Sequence, residues 1–181
     1  NVLDAAGFQV AREYYVNDAG RQMDILVLST WLRYLELCGV SVPFPPNAYQ
    51  GDYVRAMAQD LLARDSRRYL RAAAAVAAGA PTANQDAEIL LDQWIENTKR
   101  LLADDYAAIH HRVLSAQLAD CRNDLAEFGV SFDCWYSEQS LFDTDKITRA
   151  AARLDGAGHL YIKDGARWFR STAFGDEKDR V

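Results

Sequence analysis

The sequence predicts a helix-rich α/β fold in which a helical insertion interrupts an α/β unit and a β-hairpin closes the chain. Three observations carry this. A strand-like run, a polar turn and an amphipathic helix follow one another over residues 8–38, the order of an alternating α/β unit. Helical apolar stripes then fill residues 52–128. Period-two alternation returns at 130–137, and an Asp164-Gly165 dipeptide divides two strand-like runs near the end.

Each element has its own signal. Residues 1–6 have helix-forming character, and Gly7 stands where a helix needs a left-handed closing residue. Phe8, Val10, Tyr14 and Val16 share one alternating register and predict a strand over 8–16. Asn17-Asp18-Ala19-Gly20 breaks it. Ile25, Leu28, Leu32 and Leu35 then mark a helix from about Arg21 to Cys38, closed by Gly39. Pro43-Phe44-Pro45-Pro46-Asn47 forms a connector that no helix can cross.

Asp52 reads as the N-cap of a helix striped by Val54, Met57, Ala58, Leu61 and Leu62. That helix is expected to run on through Arg67-Arg68-Tyr69-Leu70-Arg71 and the alanines, stopping near Gly79-Ala80-Pro81. Thr82 or Asn84 starts the next, whose stripe is Ala87, Leu90, Leu91, Trp94, Ile95, Thr98, Leu101 and Leu102. Asp104 or Asp105 begins a further helix striped by Leu114, Leu118, Cys121, Leu125 and Phe128 and ended by Gly129. These stripes must face each other or another surface, which predicts an antiparallel helical insertion over 52–128. Val130, Phe132, Cys134 and Tyr136 alternate as a strand. Asp143 is placed as an N-cap, with Phe142 and Ile147 as a hydrophobic staple, for a helix ending at Gly156. Residues 159–163 and 166–170 are the arms of the hairpin, since Asp-Gly suits a turn whose two central residues take positive φ.

Composition narrows the function classes. At 181 residues the chain is one domain's worth of core, and 50% hydrophobic with 25% charged residues excludes disorder. No apolar run approaches the roughly 20 residues that span a bilayer, so a membrane partner is not expected. The net charge of −6 argues against a broadly basic surface. Cys38, Cys121 and Cys134 are odd in number and far apart, which predicts buried thiols in a reducing, cytoplasmic compartment. The helical opening and the apolar Val181 at the close read as the ends of an internal fragment.

Few side chains group for chemistry. His110 and His111 are adjacent and would point about 100° apart on a helix, and no Cys-x-x-Cys or His-x-x-x-His spacing occurs, so no metal site is expected. His159 is expected to be solvated, and no cysteine has a neighbouring His or Lys to activate it. Arg64, Arg67, Arg68 and Arg71 recur at helical spacing, which would place them on one face able to meet phosphates. A solvated face balanced by Asp60 and Asp65 explains them equally well. Asn17, Asp18 and Gly20 lie between a strand's carboxyl end and a helix, where open α/β sheets build their sites; a turn that merely starts the helix has the same composition. No Gly-rich phosphate or dinucleotide motif is present.

Four segments, in order and spanning almost the whole chain, resemble the bacterial arginyl-tRNA synthetases, class I enzymes with a Rossmann catalytic domain. They are Arg12-Glu13-Tyr14-Tyr15-Val16-Asn17-Asp18-Ala19-Gly20-Arg21-Gln22, Tyr49-Gln50-Gly51-Asp52-Tyr53-Val54, Phe132-Asp133-Cys134-Trp135-Tyr136-Ser137-Glu138-Gln139-Ser140-Leu141, and the run from Gly165 to Val181. The resemblance implies a partial Rossmann fold with a helical insertion: a Rossmann segment over 1–51, the insertion over 52–129, a returning strand and helix over 130–157, and the connective hairpin over 158–181. It implies a parent that attaches arginine to tRNA with ATP and magnesium. The family's His-x-Gly-His and Lys-Met-Ser-Lys-Ser elements are absent from this sequence, so the chain alone is expected to bind neither cofactor and to be inactive. Asn17, Asp18 and Gly20 would border the active-site crevice, and Arg64, Arg67, Arg68 and Arg71 could touch tRNA. The partners implied are arginine, tRNA, the rest of the parent chain, and further copies of this chain through an orphaned strand. A rival reading is a self-contained helical interaction module whose stripes over 84–128 bind a partner helix.

Overall fold

The computed structural model describes residues 2–78 and 86–181. In chain order the elements are α1 (Val2–Ala5), β1 (Glu13–Val16), α2 (Arg21–Leu37), α3 (Asp52–Asp65), α4 (Ala73–Ala78), α5 (Ala87–Leu102), α6 (Asp104–Glu127), β2 (Cys134–Ser137), α7 (Gln139–Asp143), α8 (Lys146–Gly156), β3 (Leu160–Lys163) and β4 (Ala166–Phe169), followed by a 3-10 turn at Ser171–Phe174. They form two compact units. One joins the residues up to Asn17 with Asp133–Val181; the other is Asp18–Phe132.

The helical unit is built on α2. Met23, Ile25, Leu26, Val27, Leu28, Trp31, Leu32, Tyr34 and Leu35 are all buried, so this helix is apolar on nearly every side and packs against α3, α5 and α6. Gly39, at φ +87°, ends it: Val40 N–H reaches Leu35 O at 2.9 Å and Gly39 N–H reaches Glu36 O at 3.0 Å. From α3 come Val54, Ala58 and Leu61, from α5 Leu91, Trp94, Ile95 and Leu102, and from α6 Ile109 and Val113.

Three expectations for these helices fail. The cap of α3 is Gly51 rather than Asp52, which lies in the first turn. Nor does α3 continue through the arginines: Ser66 takes φ 51° and ψ −128°, and the chain turns before α4. The cause is remote in sequence. Tyr34 Oη donates to Ser66 O at 2.6 Å, Trp31 Nε1 donates to Tyr69 O at 2.9 Å, and Tyr69 N–H donates to Tyr34 Oη at 3.2 Å. Buried side chains of α2 thus take up backbone groups that a continuing helix would pair internally. The third failure is in α6, where Leu114, Leu118, Cys121 and Leu125 are only half-buried and Phe128 is 85% exposed. The expected stop near Gly79-Ala80-Pro81 and the starts at Thr82 or Asn84 lie outside the described residues; α5 is capped by Asp86, whose carboxylate accepts Glu88 N–H at 2.8 Å.

In the other unit only Glu13–Val16 of the expected strand 8–16 enters a ladder, and Phe8 is 61% exposed. β1 pairs with β2 in parallel, Glu13 opposite Cys134 and Val16 opposite Ser137. Tyr14 stacks on its register partner Trp135 with ring centroids 4.5 Å apart. Asp143 is not an N-cap: it ends α7, its carboxylate accepting Gln139 Nε2 at 3.0 Å, and Asp145 at φ 54° precedes α8. Phe142 and Ile147 are both exposed, so no staple forms. The hairpin is as expected. Asp164 (φ 52°) and Gly165 (φ 76°) make the turn, and β3 and β4 pair antiparallel from Leu160–Phe169 to Lys163–Ala166.

Candidate functional site

The turn after β1 holds the first group of candidates. Asn17 is exposed, Asp18 is buried at 6% exposure, and Gly20 is the N-cap of α2 at φ −93°, ψ 164°, its carbonyl accepting Met23 N–H at 3.0 Å. Gly20 therefore has an extended conformation open to any residue, and the turn starts the helix. The first turn of α2 is tied to α5 and α6 by charge. Arg21 pairs with Asp92 at 2.6 Å and Glu88 at 2.9 Å, while Asp24 accepts Lys99 Nζ at 2.8 Å and the Tyr106 hydroxyl. Burial, and then the Asp24 carboxylate, raise the Tyr106 phenol well above its ordinary value, which keeps it a donor.

Two of the resembling segments meet in this unit. The Tyr49 hydroxyl donates to the Gln22 side-chain oxygen, and Tyr49 N–H donates to Ser29 Oγ at 2.9 Å. Gln22, Met23, Leu26, Tyr49 and Tyr53 line one side of an open cleft of ≈ 430 Å³, with Gln117 and Asp120 of α6 on the other. Gln22 and Tyr49 were not singled out as site residues from sequence; their place inside the resembling segments was the signal for them.

The basic cluster is rearranged. Because α3 stops at Asp65, Arg64, Arg67, Arg68 and Arg71 do not share a helical face. Arg64 pairs with Asp60 one turn back at 2.7 Å. Arg68 and Arg71 both bind Asp105, each at 2.9 Å, and Arg71 also donates to Leu101 O at 2.8 Å and to the carbonyls of Arg68 and Leu70. The Arg71 and Arg68 guanidiniums hold the Asp105 carboxyl below its usual range. Arg112 makes a similar clamp on Asp65 at 3.0 Å, and Tyr69 Oη donates to the same carboxylate at 2.9 Å. Arg67 is exposed and, alone of the four, has no ion pair among the described residues. Asp105 was read from sequence only as a possible helix start, and Arg112, which makes the second clamp, carried no distinguishing signal.

Among the described residues no three His, Cys, Asp or Glu side chains gather to hold a metal ion. The thiols are not the buried group expected: Cys38 and Cys121 are half-buried and Cys134 is exposed. No described helix is long and apolar enough to cross a membrane. His159 is half-buried against the Phe174 ring, with centroids 4.9 Å apart, rather than solvated.

No protein-family model matches the chain. It is 59% identical over 181 residues to an arginine–tRNA ligase of Nitrosospira multiformis, covering all of this chain and 31% of that protein. The arginine–tRNA ligases of an Azoarcus species and of Dechloromonas aromatica are 57% and 56% identical, covering 33% and 32% of their lengths. A solved arginyl-tRNA synthetase from Campylobacter jejuni superposes with a TM-score of 0.73 at 22% identity, over 99% of this chain and 33% of that one; at that identity the likeness concerns the fold alone. The chain spans about a third of the length of the curated relatives it matches. Homologous along its whole length and through both compact units, the chain is a fragment-sized match to the arginine–tRNA ligase family.

Proposed function

We propose that the chain serves as a scaffold segment of an arginine–tRNA ligase, an enzyme that attaches arginine to tRNA with ATP in the cytoplasm. The observation that carries this is the homology at 50–59% identity across 99–100% of the chain. The topology supports a partial Rossmann fold: β1 and β2 are parallel neighbours, parallel strands need a crossover connection, and here that connection is the whole unit Asp18–Phe132. On this reading the helical unit is the family's insertion and Asn17, Asp18 and Gly20 border the crevice at the strand's carboxyl end. Of the arginines, Arg67 is the one open to an RNA phosphate; Arg64, Arg68 and Arg71 would first have to leave Asp60 and Asp105.

ATP and magnesium would be used by the parent enzyme. The residues described here do not fit them. Among the described residues no three His, Cys, Asp or Glu side chains gather to hold a metal ion, and the guanidiniums of Arg68 and Arg71 are already engaged by Asp105. No chemical step is assigned to this chain. As for the rival module, the α5 stripe of Leu91, Trp94, Ile95 and Leu102 is buried inside the helical unit and is closed to a partner helix.

Arginine-dependent ATP–pyrophosphate exchange, with tRNA present, separates the possibilities. A longer protein carrying this segment is expected to exchange and to charge tRNA, and the chain alone to do neither. Failure of the longer protein removes the ligase reading; turnover by the chain alone removes the scaffold reading.

A further inference from the structure

We propose that one face of the β3–β4 hairpin is a stacking platform for single-stranded RNA; the proposal rests on the reading above, in which RNA is a substrate of the parent protein. Alternate residues of an antiparallel ribbon share a face. The register sets Tyr161 opposite Trp168 and Lys163 opposite Ala166, and Arg170 N–H donates to His159 O at 2.9 Å to extend the ladder by one pair. Tyr161, Lys163, Trp168 and Arg170 therefore project together. Their contacts agree: the Tyr161 and Trp168 rings lie 6.4 Å apart at 25°, Lys163 Nζ sits 5.6 Å from the Trp168 centroid, and Arg170 Cζ sits 4.6 Å from the Tyr161 centroid.

The platform is fixed before any partner arrives. Tyr161 Oη donates to Asp179 at 2.9 Å, and Trp168 Nε1 donates to Lys163 O at 3.2 Å. Asp179 also takes the N–H and hydroxyl of Thr172, at 3.1 and 2.8 Å, and the Thr172 and Tyr161 donors hold its carboxyl below the usual range as a fixed anchor for the ring. On the hairpin's other face the inner end is already covered, Phe169 stacking on Phe174 at 5.5 Å.

This chemistry fits one class of partner. Every base presents a π-face that can stack on an indole, on a phenol, or on a guanidinium plane lying over one, and the flanking cations reach backbone phosphates. Several arginines elsewhere are engaged by carboxylates: Arg64, Arg112 and Arg180 each pair with one, and Arg68 and Arg71 share Asp105. Among the described residues Lys163 and Arg170 have ring contacts and no ion pair. With a net charge of −6 the molecule has no general attraction for polyanions, so affinity must come from a local patch, and this one joins two cations to two ring faces. An acidic peptide would use the two cations but leave the ring faces idle.

The test uses the 181-residue chain and a fluorescein-labelled single-stranded RNA dodecamer, followed by anisotropy at two salt concentrations. Trp168→Leu is expected to weaken binding about tenfold, and Trp168→Phe, which keeps a stacking ring, by under about threefold. Arg170→Ala should weaken binding and lower the salt slope by about one. Arg167→Ala, on the opposite face, should change nothing. The platform is overturned by absence of RNA binding, by equal binding of Trp168→Leu, by a loss for Arg167→Ala as large as for Arg170→Ala, or by polyglutamate displacing the RNA as well as unlabelled RNA does. If Trp168→Leu fails to fold, the Trp168→Phe and Arg170→Ala results decide alone. Loss of the platform leaves the ligase reading to be judged by tRNA charging. Hairpin-dependent RNA binding beside a longer protein that charges no arginine would keep the platform and remove the ligase.

Discussion

Tyr34 joins two stretches of chain through one oxygen. Its hydroxyl donates to Ser66 O and accepts Tyr69 N–H, and its side chain is fully buried. Without it, the buried Tyr69 amide would be left unpaired, and Ser66 would lose a restraint on a backbone conformation that costs about 1–3 kcal/mol. Tyr34→Phe is therefore expected to lower stability by about 2 kcal/mol, read as a drop in urea midpoint with unchanged m. Burial also pushes the phenol up to about 12. The unfolded chain then loses this proton near its ordinary value of 10.0, before the folded one does, so the contribution is complete below that pH and falls away between 10 and about 12. The phenylalanine variant should show a flatter stability profile across that window. An unchanged slope would mean that other tyrosines account for the alkaline loss.

Among elements, α3 shows where local signals end and packing begins. Its cap glycine is required by its own second residue on: a Cβ on Gly51 would lie 2.5 Å from Tyr53 Cε1. Alanine is also a poorer N-cap than glycine. Gly51→Ala is expected to cost about 1 kcal/mol, and distinctly less in a Tyr53→Ala background, because the ring is what the methyl meets. Additive costs in that double-mutant cycle would place the penalty in the backbone instead. The other end of α3 could not be read from neighbours in sequence. The arginine-rich stretch has ordinary helix formers, and only the distant Trp31 and Tyr34 stop it. The same limit hid the candidate site: spacing placed four arginines on one face, whereas the break at Ser66 sends Arg68 and Arg71 to Asp105. Where start and stop signals act locally, as with Gly39 and the Asp164-Gly165 turn, the sequence was legible.

For the whole molecule, core is unevenly shared. The helical unit contains almost all of the fully buried apolar side chains, centred on α2, whereas α7, α8, β3 and β4 bury none completely. Its partner unit also carries a two-stranded parallel sheet, a form that is normally covered on both faces and extended at both edges. Tyr15 of β1 is 54% exposed. The chain is accordingly expected to self-associate through this strand in solution, by light scattering and sedimentation; a monodisperse monomer at high concentration would contradict it. The sequence by itself determined the helix-rich class with its few strands, the bounds of α2, the ends of α6 and α8, the hairpin turn and its register, because glycines and periodicity act over a few residues. Only the tertiary structure decided where α3 breaks, which half of α6 is core, how much of 8–16 is strand, and which cations stay unpaired. Those outcomes depend on groups tens of residues apart competing for the same backbone and carboxylate oxygens.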